Sequence, residues 1–412
     1  MKTVTYVSAA GRPADVSPSG TGGWRPRTWL GAPAPGGLAL PAAHPTASWL
    51  YAPRGVFLGQ HQGRDVLVAA DTGNHRVMIW HSLPDTDETP CDVVLGQESF
   101  EDEGPARGRG DTRRGMNLPT GVLVHDGLLI VADAWHHRVL IYRGLPASSG
   151  AEPDLVLGQD GPDRVEPNRG RETCAADSFY WPFGVAVVHG RFYVADTGNR
   201  RVLGWSGGVP SSPSTPPDLI LGQSDDVSRE ENRGGPPGPA SFRWPHAICG
   251  SAGGPGEDSL LLVADAGNHR VLGWRPRPDT DRGADLVLGQ ETFDAGGEFP
   301  YAPQTAAMMR FPYAADLAVH PDGGGTLAVA DTANNRILLW DGVPEAGAER
   351  AATAVLGQPG FGPNGENHWS GVTRDSLCWP YGLSLRTDSR GTASHLAVAD
   401  SGNNRIVIWS RD

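Results

Sequence analysis

Six aspartates stand at near-regular intervals along the 412-residue chain: Asp71, Asp133, Asp196, Asp265, Asp331 and Asp400. Each is followed by an amide or imidazole and then an arginine, as in Asp71-Thr72-Gly73-Asn74-His75-Arg76. Carboxylate, amide and guanidinium side by side can ligate a cation or polarise a substrate. Chemistry rarely needs six equivalent sites, and the same residues have structural uses. Asp caps a turn, Asn or Gly tolerates left-handed geometry, and Arg pairs with nearby carboxylates or carbonyls. Departures from the pattern are more informative, because repetition does not require them. The second copy reads Asp133-Ala134-Trp135-His136-His137-Arg138, with Trp where the others have Gly or Ala and His where they have Asn. A bulky aromatic beside paired imidazoles can anchor a partner or bind a metal, so Trp135, His136 and His137 are candidate partner-binding residues.

The elements that position these residues follow from the repetition itself. The phrase VAADTGNHRVMIW, ending at Trp80, returns in variant form ending at Tyr142, Trp205, Trp274, Trp340 and Trp409. Successive aspartates lie 62, 63, 69, 66 and 69 residues apart. Upstream of each stands a proline (Pro53, Pro119, Pro182, Pro245, Pro312, Pro380) that opens an alternating apolar run. Downstream, VLGQ or a near copy ends at Gln97, Gln159, Gln223, Gln290 and Gln358. Each repeat therefore holds four short strands, here a to d, which is one blade of a propeller. The expected fold is all-β: six four-stranded blades, with residues 24–412 as one domain and residues 1–23 as a flexible tail. The terminal aromatics of strand c are expected to pack blade against blade.

The sixth repeat has no VLGQ after it. Thr28-Trp29-Leu30-Gly31 fits the vacancy, because Gly31 precedes Pro53 by 22 residues and the glycines of VLGQ precede the next proline by 23 or 24. The N-terminal segment is thus expected to complete the last blade and hide a pair of sheet edges.

With these phrases in place the chain resembles the NHL-repeat family, in a bacterial subtype whose repeats end in VLGQ. The resemblance runs from about Trp24 to Asp412 and rests on six exact or near copies of the Asp-x-x-Asn-His-Arg turn between two strands. It implies a propeller, often a binding platform. Related propellers include metal-dependent lyases and lactonases acting at the axis, whose metal is held by converging His, Asp, Asn or Glu. It also implies an accessory role to a metabolic enzyme complex such as a [NiFe] hydrogenase.

Antiparallel order puts the starts of strands a, the b–c turns and the long d–a loops on one face. Loops of about 20 residues are uncommon and often functional, so that face is the expected working side. The opposite face carries His125, His189 and His320, which are read as turn residues. The residues after each proline should ring the mouth of the axis: Arg54, Thr120, Phe183, His246, Tyr313 and Tyr381. This aromatic collar has the make-up of a small-molecule pocket. Blades four and five lack the usual Gly after the collar residue, and Asp316 is expected in a bulge beside His246. Those two residues are fewer than the three or four ligands a metal site needs, and no cofactor is expected.

Net charge is −13, which repels a phosphate backbone and argues against nucleic acid. Lys2 is the only lysine, a bias that fits a GC-rich bacterial genome. An arginine-rich loop, 107–114, reads as a solvated island offset by Glu98, Glu101, Asp102 and Glu103. Cys91, Cys174, Cys249 and Cys378 are scattered, with no CxxC pair, as in a reduced cytoplasmic protein. No run has the length of a membrane span or a signal peptide. The sequence thus points to a non-catalytic cytoplasmic scaffold that engages a protein partner through its long-loop face, with a metal-dependent enzyme as the alternative.

Overall fold

The computed structural model describes residues 21–32, 44–251, 259–298, 302–320, 322–342, 345 and 351–411. Twenty-four strands form six separate four-stranded sheets. In the third blade, strands Pro182–Val188, Arg191–Asp196, Arg201–Trp205 and Leu219–Leu221 pair in sequence order, each antiparallel to the next. The other blades repeat this order, and strand d is only three residues long in the first five. The elements outside the sheets are short 3-10 turns.

Blade six takes its outer strand from the start of the chain, as the spacing of Gly31 and Pro53 predicted. Trp24–Gly31 lies antiparallel to Arg405–Arg411, with Leu30 opposite Ile406 and Trp24 opposite Arg411. Trp24 and Leu30 are buried, so the strand contributes side chains as well as ladder bonds. The expected tail lies outside the described residues up to residue 20, and Thr21–Gly23 turn into the closing strand.

The core is divided among the blade interfaces. Six apolar clusters occur, and each draws on two neighbouring blades. Trp80, Tyr142, Trp205, Trp274, Trp340 and Trp409 are all buried within them, where each meets residues of the preceding blade. Apolar alternation on both sheet faces is what lets a blade sit between two others.

The repeat aspartate and arginine organise the loop face. Each pair forms a fully buried ion pair at 2.7–2.9 Å. In blade three, Asp196 Oδ1 accepts the Tyr180 amide at 2.7 Å, and Oδ2 accepts Asn199 Nδ2 and Arg201 Nε, each at 2.8 Å. Arg201 Nη2 donates to Ala175 O and Ser178 O in the loop before the blade, and Nη1 to Asp226 O in the loop after it. One guanidinium thereby staples two successive long loops.

The left-handed position is not where the sequence placed it. Neither Gly73 nor Asn74 has a positive φ. The residue before the arginine does: His75, His137, Arg200, His269, Asn335 and Asn404, at φ 54–57°. Its side chain then reaches the next blade. The amides of Leu118, Trp181 and Phe311, each just before a proline, donate to Nδ1 of His75, His137 and His269 at 3.0–3.2 Å. Asn335 and Asn404 do the same with Oδ1, the latter to Ala52, so the clasp runs on through blade six into blade one.

An imidazole that accepts an amide proton must be neutral at that nitrogen. Burial, the main cause, holds His137 and His269 down at about 4 and lowers His75 as well. Above pH ~6.5 both folded and unfolded histidines are neutral and stability is flat. As pH falls from ~6.5 toward ~4 the unfolded chain binds protons first, so stability drops. A shift of this size corresponds to about 2–3 kcal/mol for each residue by pH 4. The double variant His137→Asn/His269→Asn keeps both acceptors and removes both titrations. It should lose much less stability than the parent between pH 7 and 4.5, measured by denaturant midpoints. An unchanged acid slope would refute the clasp.

Candidate functional site

The d–a loops are long but carry structure of their own, which tempers the reasoning that singled them out. Four hold a 3-10 turn whose two central residues are left-handed: Ala106/Arg107, Asn168/Arg169, Asn232/Arg233 and Asn367/His368. The Gln of VLGQ fixes each turn by donating seven residues ahead, as Gln159 Nε2 does to Glu166 O at 2.9 Å. The loop Asn then pairs with the Asn of the following blade turn, Asn168 with Asn199 and Asn367 with Asn403. These residues escaped the sequence reading, although GPARG, EPNRG, EENRG and GENHW recur at one offset from the loop glutamine.

Blade two departs from this frame in a matched way. His136 replaces the turn Asn, and its Nδ1 lies 2.9 Å from Asp133 Oδ2. Ala106 stands where the preceding loop would offer its own Asn, so the amide pair is lost on both sides. His136 is buried and bonded inside the turn and His137 is buried and bonded to the Trp181 amide of the next blade, whereas Trp135 is exposed. Trp135 occupies a glycine position. At Gly198 an added Cβ would sit 2.4 Å from Tyr180 O and 2.7 Å from its ring. In blade two the opposing residue is Asn117, and the turn amide bond lengthens to 3.1 Å from 2.8 Å in blades one and three. The indole turns its edge toward Trp181, with centroids 5.7 Å apart.

The six collar residues do meet, around a channel of about 320 Å³ along the axis. Ring centroids lie 4.2 Å apart for Phe183 and His246, 4.5 Å for His246 and Tyr313, and 4.6 Å for the stacked pair Tyr313 and Tyr381. The Arg54 guanidinium lies over Tyr381 at 4.7 Å. Thr120 Oγ1 donates to Phe183 O at 2.8 Å. Glycine follows the collar residue in blade three because a Cβ on Gly184 would lie 2.1 Å from His246 O of the next blade.

Asp316 lines the same channel but not in a bulge. The register break of its strand falls between Pro312 and Ala314, and Asp316 pairs regularly with Ala328. Its carboxylate accepts the amides of Leu317 at 2.9 Å and Leu385 at 2.8 Å, the latter in blade six. Ser384 one blade on accepts the Leu58 amide in the same manner. Inner strands have one unpaired edge, and these side chains satisfy its amides. Burial raises Asp316 to about 6 against those two bonds. His246 Nδ1 lies 2.9 Å from Trp244 O, so the Asp316 carboxylate and one nitrogen of His246 are both engaged with backbone. Among the described residues no three His, Cys, Asp or Glu side chains gather as metal ligands.

Elsewhere the arginine-rich loop is neutralised in part as expected, through Glu98, and in part by acids outside the expected set. Arg107 pairs with Asp111, Arg109 with Glu98, and Arg113 and Arg114 with Glu152 in the c–d loop of blade two. His189 takes a left-handed φ of 49° in its a–b turn. The four cysteines are buried and unpaired. Among the described residues no helix is long and apolar enough to cross a membrane.

Ring, blades and collar define a six-bladed β-propeller. No family model and no curated protein matches the chain. Among solved structures 535 chains match it. One is Raptor of Chaetomium thermophilum, with a TM-score of 0.44 and 11% identity, covering 95% of this chain and 29% of that one. The chain thus spans less than a third of Raptor's length, and nothing about function follows from a likeness at that level.

Proposed function

We propose that the chain is a non-catalytic binding propeller of NHL type that holds a protein partner against its long-loop face. One observation carries this reading. The large apolar side chains left exposed among the described residues are Tyr51, Trp135, Val227, Trp369 and Trp379, 38–81% accessible. All five belong to d–a loops or b–c turns, and hence to one face. Exposed aromatics gathered on one side of a rigid frame are the usual centre of a protein contact. The partner class is the one the NHL resemblance implies, a metabolic enzyme complex such as a [NiFe] hydrogenase, met in a reducing cytoplasm that suits four free thiols.

Trp135→Ala should weaken that association at least tenfold, the scale of a residue worth about 2 kcal/mol. The thermal midpoint should barely move, since an exposed indole on a glycine site adds little to the core. Partners captured from the native host and titrated against wild type, Trp135→Ala and a His125→Ala/His189→Ala variant decide the matter. A partner that ignores Trp135 and the long loops but fails on the a–b turn variant would reverse the face.

A further inference from the structure

Thr120, Asp316 and Ser384 of the axial channel are engaged with backbone, but Arg54 and His246 each keep a polar group that the binding reading does not use. Arg54 is the cation of the collar, and among the described residues no carboxylate lies within ion-pair distance of it, in a protein with an excess of acids. Its Nε is buried without a hydrogen-bond partner. His246 is 3% exposed, and its Nδ1 faces a carbonyl, which can only accept, so the proton sits on Nδ1. Nε2 is then left as an acceptor with no partner among the described residues, on a side chain that lines the channel. Burial, with Arg54 nearby, lowers His246 to about 3 and keeps the ring neutral.

Blades one and four are opposite members of a six-blade ring, so Arg54 and His246 stand on opposite sides of the axis. Aromatic rings fill the wall between them on the Tyr313 and Tyr381 side. Below the collar the walls are mainly apolar strand edges such as Leu58, Val122 and Leu383, with Asp316 and Ser384 accepting backbone amides of the inner strands. A volume of about 320 Å³ is at the small end of ligand pockets. An anionic group would meet Arg54 in a charge-assisted contact, a planar body would lie among the rings, and a donor at the far end would meet His246 Nε2.

We propose that the axial channel binds a small aromatic carboxylate that carries a hydrogen-bond donor at the end opposite its carboxylate, held between Arg54 and His246. The site is separate from the partner face in its residues, so either reading can fail without the other. The test is calorimetric titration of the full chain with 4-hydroxybenzoate, benzoate and 4-hydroxybenzyl alcohol. 4-Hydroxybenzoate should bind with submillimolar Kd, and loss of either the carboxylate or the hydroxyl should weaken binding at least fivefold. Arg54→Gln should weaken 4-hydroxybenzoate at least tenfold, and Arg54→Lys should recover part of that loss. His246→Phe should abolish the preference for 4-hydroxybenzoate over benzoate. Unchanged thermal midpoints would confirm that these variants are folded. No binding of any probe at millimolar concentration, or binding indifferent to Arg54→Gln in folded protein, overturns the proposal.

Discussion

Asp331→Ala should destabilise the protein by about 3–5 kcal/mol or prevent its folding, the scale expected when one partner of a buried ion pair is removed. The carboxylate receives the Arg310 amide at 2.6 Å, Asn334 Nδ2 at 2.8 Å and Arg336 Nε at 2.7 Å. Neither Asp331 nor Arg336 is exposed to water. Alanine would leave a guanidinium charge uncompensated and two further donors unsatisfied. Arg336 also holds Thr305 O, Met308 O and Phe361 O, so both flanking loops would loosen. The exposed pair of Arg109 and Glu98 is the control, and Glu98→Gln should leave the denaturant midpoint almost unchanged, since solvent screens the pair. Denaturant unfolding of both variants measures the contrast. A loss below ~1 kcal/mol for Asp331→Ala would mean that the staple is dispensable.

Deleting residues 1–35 should cost much of the stability, whereas deleting 1–20 should cost little. The longer deletion removes Trp24–Gly31 and uncovers the strand that carries Ile406, Ile408 and Trp409. Trp24 and Leu30 alone are worth about 1.5–3 kcal/mol each as buried side chains. The freed ladder edge adds unsatisfied backbone groups and a surface prone to pairing with another chain. A total near ~5 kcal/mol is a large part of what holds a folded protein together. Denaturant midpoints and size-exclusion profiles of the two deletions provide the comparison. Equal and small effects would show that the ring does not depend on this strand.

The fold was legible because its determinants are local and repeated. Asp, Arg and the strand patterns lie within a few residues of each other, and six copies average out the noise of any one. Even the closing strand was legible, since Gly31 keeps the spacing to Pro53 that the other blades keep. What stayed hidden depends on residues far apart in the chain. His75 was read as part of a turn, but its role is to cap an amide 43 positions on. Asp316 invites a catalytic reading until Leu385, 69 residues away, turns out to need its carboxylate. Arg109 finds Glu98 close by in sequence, but Arg113 and Arg114 find Glu152, 39 and 38 positions on. The collar was legible as a ring of residues because prolines index it, but the free edge of His246 follows only from where its other nitrogen points.

The closing strand also fixes how the molecule is presented to its surroundings. Trp24 pairs with Arg411, at the end of strand c and the start of strand d, so both described ends of the propeller emerge on the side away from the long loops. A tag, tether or fused module attached upstream or downstream would leave from the same rim. A surface that covered this rim would leave Trp135, Trp379 and the channel mouth turned outward.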